Sequence, residues 1–185
     1  MQFLSTDDIP IEYFSEKRTI IGRVERVIDG DTLRMSHCPT YFSCPERDKN
    51  GATREMTIKV RAYGIDSPEL QKNDSDPPSQ PYAEEAKQFT SLLTLDKIVG
   101  VKLLKKDKYG RVVGKIEVGS QDLSVELTRR GLATLYTGKG AAYDGNKVLL
   151  EAAQDIAQKQ NLGIWRLGSD FISPSDFKRQ RIFEN

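Results

Sequence analysis

Asp31, Asp66 and Glu69 are carboxylates set at turns beside apolar, strand-like stretches, and Arg61 and Arg111 lie close to them along the chain. Asp31 follows the glycine of Asp29-Gly30-Asp31. Asp66 and Glu69 fall in Ile65-Asp66-Ser67-Pro68-Glu69. A hard cation such as Ca²⁺ takes several oxygen ligands at about 2.3–2.6 Å, and two aspartates from adjacent strands, a backbone carbonyl and waters make such a set. Arg61 precedes Asp66 on the same stretch, and Arg111 follows the turn Asp107-Lys108-Tyr109-Gly110. Arginine binds phosphate through two parallel hydrogen bonds and stays charged at any working pH. Opposite a cation, two arginines can clamp a phosphodiester and stabilise the extra charge of a pentacovalent transition state. Taken singly, each residue has a plainer reading. The aspartates are turn formers and helix caps, and the arginines are solvated surface.

The elements that must position these residues follow from periodicity. Ile20–Ile28 mixes apolar and polar residues with rough alternation, as a half-buried strand does, and Asp29-Gly30-Asp31 is turn chemistry. Thr32–Ser36 resumes as a strand, and Pro39 to Arg54 reads as a long hairpin excursion. Met56–Tyr63 alternates again, with Ile58, Val60 and Ala62 on one face and Thr57, Lys59 and Arg61 on the outward one. Residues 71–81 form a polar loop. A helix follows, with Ala83, Ala86, Phe89 and Leu93 at helical spacing. Ile98–Leu104 and Val112–Val118 are two further strands. A short helix covers Ser124 to Arg130 with Gly131 as its C-terminal cap. A last helix covers Asn146 to Lys159, with Val148, Leu149, Ala152, Ala153 and Ile156 as its apolar stripe. Strands in this order, with a helix inserted between the third and fourth, predict an α+β, mainly β fold: a five-stranded OB-fold barrel with three helices. By itself that barrel implies binding of oligonucleotides, oligosaccharides or proteins, and nothing finer.

Composition sets bounds. The chain has 185 residues, ordinary for one domain. Residues 1–18 read as an arm or linker, 19–166 as the folded domain, and 167–185 as a tail that packs on it or extends from it. Lys and Arg number 28 against 27 Asp and Glu, so any attraction for a polyanion must be local. Lys97, Lys102, Lys105, Lys106, Lys108, Arg111 and Lys115 form one such cluster; the alternative is a solvated, charged strand pair. With one histidine, His37, a Ser-His-Asp triad has a single possible base. Cys38 and Cys44 leave three alternatives: free thiols, a disulfide in an oxidising compartment, or a metal site shared with His37. No apolar run is long enough to span a membrane. Aromatic residues make up 8% and are dispersed, which argues against an oligosaccharide groove.

Three segments, Ile28-Asp29-Gly30-Asp31-Thr32, Arg61 with Ile65-Asp66-Ser67-Pro68-Glu69, and Asp107-Lys108-Tyr109-Gly110-Arg111, occur in this order on this strand pattern. Arg130-Gly131-Leu132-Ala133 and Gly163-Ile164-Trp165 follow. Together they resemble the signature of the micrococcal (staphylococcal) nuclease family over about residues 20–166. The resemblance implies a Ca²⁺-dependent endonuclease that cleaves DNA or RNA, preferably single-stranded, and leaves 3′-phosphate ends. It implies that Asp31, Asp66 and the Ser67 carbonyl hold Ca²⁺. Ser67 stands where the family usually has threonine, and a backbone role survives that change. Glu69 matches the proposed general base, whose alternative role is to orient the attacking water. Arg61 and Arg111 match the phosphate-binding arginines, while Tyr109, Lys108 and Tyr136 line the nucleotide site. Tyr136 stands for one of two family tyrosines; the other is missing.

The longer stretch from His37 to Arg54, the Asp107–Val113 segment and the tail Ser173-Pro174…Phe177-Lys178 resemble a eukaryotic and algal branch that is often membrane-anchored or organellar. An N-terminal anchor on the natural protein is the expectation from that branch. The expected state is a monomer. The rival reading is a non-catalytic nuclease-like OB-fold module that binds nucleic acid or protein. Degenerate modules of that kind lose some of the carboxylates and arginines, and all five are present here.

Overall fold

The computed structural model describes residues 1–40, 43–44, 56–71, 73–74 and 77–183, with side chains to residue 179. The expected excursion from Pro39 to Arg54 therefore lies largely outside the described residues.

Alternation builds the barrel. β1 (Thr19–Asp29) turns Ile20, Val24 and Val27 inward, and a register shift between Val24 and Arg26 changes the phase of that alternation. β2 (Thr32–Cys38) buries Leu33 and Met35, and β3 (Ile58–Ala62) buries Ile58, Val60 and Ala62, the face expected of it. A two-residue β4 (Ile65–Asp66) follows. β5 (Ile98–Lys106) and β6 (Val112–Val118) turn Val99, Val101, Leu103, Val112 and Ile116 into the same core. Antiparallel pairings run β3-β2-β1-β5-β6, and a parallel pairing of β3 with β6 closes the ring. This is the five-stranded mixed barrel of an OB-fold. A short β7 (Gln121–Asp122) extends the sheet, and β8 (Thr134–Leu135) pairs with β4.

A short N-terminal helix, α1, spans Ile11–Ser15. α2 (Ala83–Thr94) lies between the third and fourth barrel strands. It buries Ala83, Ala86, Thr90 and Thr94, and Phe89 and Leu93 pack at its edge. α3 (Leu123–Arg129) is capped by Asp122, whose carboxylate accepts from Ser124 N. α4 (Lys147–Lys159) departs from the expected stripe. Leu150, Ala153 and Ala157 are buried, while Val148 is 75% exposed and Leu149 and Ile156 are also exposed. Leu150 and the small Ala153 and Ala157 face inward, and Val148, Leu149 and Ile156 face away.

The ends of the chain pack on the barrel. Phe3, Ile9 and Phe14 are buried, Phe3 N donates to His37 Nδ1 at 3.0 Å, and the Phe3 ring stacks on His37. Cys38 and Cys44 are joined as a disulfide, which resolves the alternatives left by the sequence: His37 latches the arm and holds no metal with them. At the other end, Ser173 Oγ accepts from Asp176 N, and α5 (Pro174–Phe183) runs out of the polar tail. No helix among the described residues is long and apolar enough to cross a membrane.

Candidate active site

The turn from β1 to β2 places Asp31. A Cβ on Gly30 would lie 2.7 Å from Ala86 Cβ and 2.8 Å from Ser67 Cβ, so only glycine lets α2, this turn and the segment after β4 meet. Thr90 Oγ1 donates to Gly30 O at 2.6 Å and fixes the turn on α2. The β2–β3 register sets Thr32 opposite Arg61, which brings Asp31 beside the guanidinium. Gly64, at φ +67, folds the chain back between β3 and β4 so that Asp66 comes to the same place.

Arg61 is the hub. Its Nη2 lies 3.0 Å from Asp31 Oδ2, 2.5 Å from Asp66 Oδ1 and 3.2 Å from Ile65 O. The side chain points outward from β3, as expected, yet it is only 15% exposed because the two carboxylates enclose it. Burial alone would raise the Asp31 carboxyl. Arg61 first, then Lys178 and hydrogen bonds from Thr32 and Ser67, reverse that and hold it below its ordinary value. Burial likewise pulls the Arg61 guanidinium down, and Asp31 and Asp66 push it well above the usual arginine range.

Lys178 of α5 brings a second cation to these carboxylates and is not among the site residues singled out from the sequence. Its Nζ lies 2.8 Å from Asp66 Oδ1 and 2.9 Å from Glu69 Oε1. Burial lowers the ammonium, but Asp66, Glu69 and Asp31 outweigh burial and raise it. The signal was present: Ser173-Pro174 followed by Asp176 is a helix start, with a serine cap and proline in the first turn. A sequence has no means of telling where that helix docks.

Arg111 and Arg61 line the same cleft of about 510 Å³. Asp107 shapes the approach: its Oδ1 accepts from Tyr109 N and Arg111 N, and its Oδ2 accepts from Arg111 Nε at 2.7 Å. Burial raises the Asp107 carboxyl, and the Arg111 bonds bring it below its ordinary value. The cleft is lined by Arg61, Asp66, Lys108, Tyr109, Arg111 and Tyr136, so six of the nine residues singled out from the sequence meet there, together with Lys178. Asp31 and Ser67 do not line it. Both are buried, Ser67 N donates to Asp31 Oδ2, and Asp31 meets the cleft through Arg61. Glu69 is joined to Asp66 through Lys178.

The basic cluster divides. Lys105, Lys106, Lys108 and Arg111 line the cleft and are joined by Lys139 from another segment. Lys97 instead closes the C-terminus of α2 on the carbonyls of Leu92 and Leu93, Lys102 pairs with Asp144, and Lys115 pairs with Glu117. Nearness along the chain mixed residues that the strands send in different directions.

Among the described residues, no three His, Cys, Asp or Glu side chains gather as a metal-binding group. The donor set still suits a hard cation. Asp31 and Asp66 share one guanidinium, and Asp66 Oδ2 is buried without a hydrogen-bond partner, an unmet acceptor of the kind a cation satisfies.

An OB-fold barrel with paired aspartates and two arginines at a cleft on its β3–β6 side defines a protein of the staphylococcal nuclease class. Comparison with known families agrees: the staphylococcal nuclease homologue family matches residues 59–167, and the chain belongs to it. It is 35% identical over 184 residues to the endonuclease Htp3 of Saprolegnia parasitica, covering 97% of this chain and 85% of that protein. It is 32% identical to the probable endonuclease LCL3 of Yarrowia lipolytica, covering 96% and 83% of the two chains. The probable endonuclease LCL3 of Komagataella phaffii is 33% identical, with 97% and 82% covered.

Proposed function

We propose that this protein is a Ca²⁺-dependent endonuclease that hydrolyses phosphodiester bonds of DNA or RNA, prefers single strands and leaves 3′-phosphate ends. The observation that carries the reading is the cleft in which Arg61 and Arg111 face one space beside the Asp31–Asp66 pair. The printed names of the relatives support it. Residues 19–166 would form the nuclease domain, with both ends of the chain packed on it.

Asp31, Asp66 and the Ser67 carbonyl are the groups that would hold Ca²⁺, which supplies charge neutralisation at a phosphate oxygen. Arg61 donates to the phosphoryl oxygens through Nη1, which in the free protein makes only a 3.4 Å bond to Asp31. Arg111 donates from the same cleft through its terminal nitrogens, its Nε being the atom that bonds Asp107. Glu69 accepts a proton from the attacking water at its other carboxylate oxygen, Oε1 being the one near Lys178, as the P–O5′ bond breaks. The water oxygen bonds to phosphorus, the 5′-oxygen leaves with the P–O5′ electron pair and takes a proton from solvent, and the phosphate stays on the 3′ side. Tyr109, 70% exposed, and Tyr136 offer ring faces to bases, and Lys108 offers charge to the backbone.

The test is digestion of heat-denatured and duplex DNA and of RNA with Ca²⁺, Mg²⁺ or EGTA, with the new ends probed by 5′-end labelling before and after phosphatase. The expected result is Ca²⁺-dependent cleavage whose 5′ ends label without phosphatase. No cleavage of any substrate under any metal would replace the enzyme by the nucleic-acid-binding module, with affinity then measured against salt.

A further inference from the structure

Lys178 is held in place from two sides. Gln80, buried, donates from Nε2 to Ile172 O at 3.1 Å just ahead of α5. The same residue donates from its backbone N to Glu69 O and accepts from Glu69 N at its side-chain oxygen, both at 2.9 Å. One side chain thus ties the start of the C-terminal helix to the backbone of Glu69. Phe177, next to Lys178, lines a small apolar cavity with Pro68, Ile164 and Leu167. The ammonium therefore reaches Asp66 and Glu69 from an anchored helix, and it bonds the same Asp66 carboxylate that would hold a cation.

We propose that Lys178 is a tethered cation that occupies the carboxylate side of the cleft in the metal-free protein, so that α5 sets how much divalent metal the site needs. The proposal rests on the metal reading given under Proposed function. An ammonium 2.8 Å from Asp66 Oδ1 takes up the space and the charge that an ion on the same carboxylate requires, since a divalent ion sits only about 2.3–2.6 Å from its oxygens. Two positive charges at that separation repel, so the lysine must swing away as the ion enters. The site is then competent only in the fraction of molecules with Lys178 displaced, and the apparent metal affinity is reduced by that fraction.

The experiment is calorimetric titration of the full chain with Ca²⁺, without nucleic acid, for the wild type, Lys178→Gln and Lys178→Arg. Lys178→Gln is expected to bind Ca²⁺ roughly ten- to a hundredfold more tightly than the wild type, as removal of a closed state populated at 90–99% requires. Lys178→Arg, which keeps the charge, is expected to stay within about threefold of the wild type. The Ca²⁺-induced rise in melting temperature gives the same ranking where a metal-free variant is weakly folded. Equal or weaker binding by Lys178→Gln overturns the proposal and leaves the metal reading standing. That result would place the lysine on Asp66 Oδ1 while the ion uses Oδ2. Absence of Ca²⁺ binding in both the wild type and Lys178→Gln at millimolar concentration overturns the proposal and the metal reading together.

Discussion

Replacing Arg61 by glutamine tests whether this arginine serves the fold as well as the reaction. The side chains of Asp31 and Asp66 are each 3% exposed, and Arg61 contacts both. In the variant Asp66 keeps Lys178, and Asp31 keeps the Thr32 hydroxyl at 2.8 Å, Ser67 N at 3.2 Å and the more distant charge of Lys178. Removing one partner of a buried ion pair costs about 3–5 kcal/mol, because the other charge is stranded. With an m-value of about 2–3 kcal/mol per M, the urea midpoint should fall by roughly 1–2.5 M. Trp165, the single tryptophan, packs 5.1 Å from Phe171 and reports the transition by fluorescence. The loss should depend on pH. In the wild type Asp31 is held below its ordinary 3.8, so its contribution is present above that value and fades as pH falls through the folded-state value. Without Arg61 the strongest opposition to burial is gone, so the carboxyl rises from its wild-type position and Asp31 contributes less stability near neutral pH. The difference between the two proteins should therefore shrink as pH falls toward 4. An unchanged midpoint near neutral pH, or a loss independent of pH, would refute the pairing argument.

Glu69→Gln should lower the cleavage rate about 10²–10⁴-fold and Arg111→Gln about 10³-fold or more, each with a urea midpoint near that of the wild type; a parallel loss of stability would point to a structural role instead. Leu150→Ala should cost about 2–5 kcal/mol and Leu149→Ala under about 1 kcal/mol, and equal losses in urea melts would restore the stripe first expected for α4. His37 must be neutral to accept from Phe3 N, and burial depresses its pKa below 6.5, so the arm's contribution is present above that value and is lost as pH falls through the depressed one. The Phe3 amide resonance, followed by NMR, should titrate with His37; a Phe3 resonance that ignores the imidazole would contradict the latch.

Strand alternation in Ile58–Ala62, the turn at Gly30 and the helical spacing from Ala83 are local properties, and the barrel and its inserted helix follow from them. So does the order of the acid and arginine segments, since each lies at the end of an element that its own residues specify. What lies between elements is another matter. Periodicity marked α4 as amphipathic and put Leu149 rather than Leu150 in its apolar stripe, because which side is buried depends on what the helix packs against and not on its own spacing. The run from Lys97 to Lys115 read as one basic patch, and strand geometry divided it between the cleft and unrelated ion pairs. Arg61 read as an outward arginine; only the meeting of β2, β3 and β4 enclosed it between two carboxylates. Lys178 is far from Asp66 along the chain, and no local rule links them. A sequence carries the propensities and chemistry of its parts, whereas the pairing of distant charges depends on where the closed barrel and the docked C-terminal helix bring them within a few ångströms.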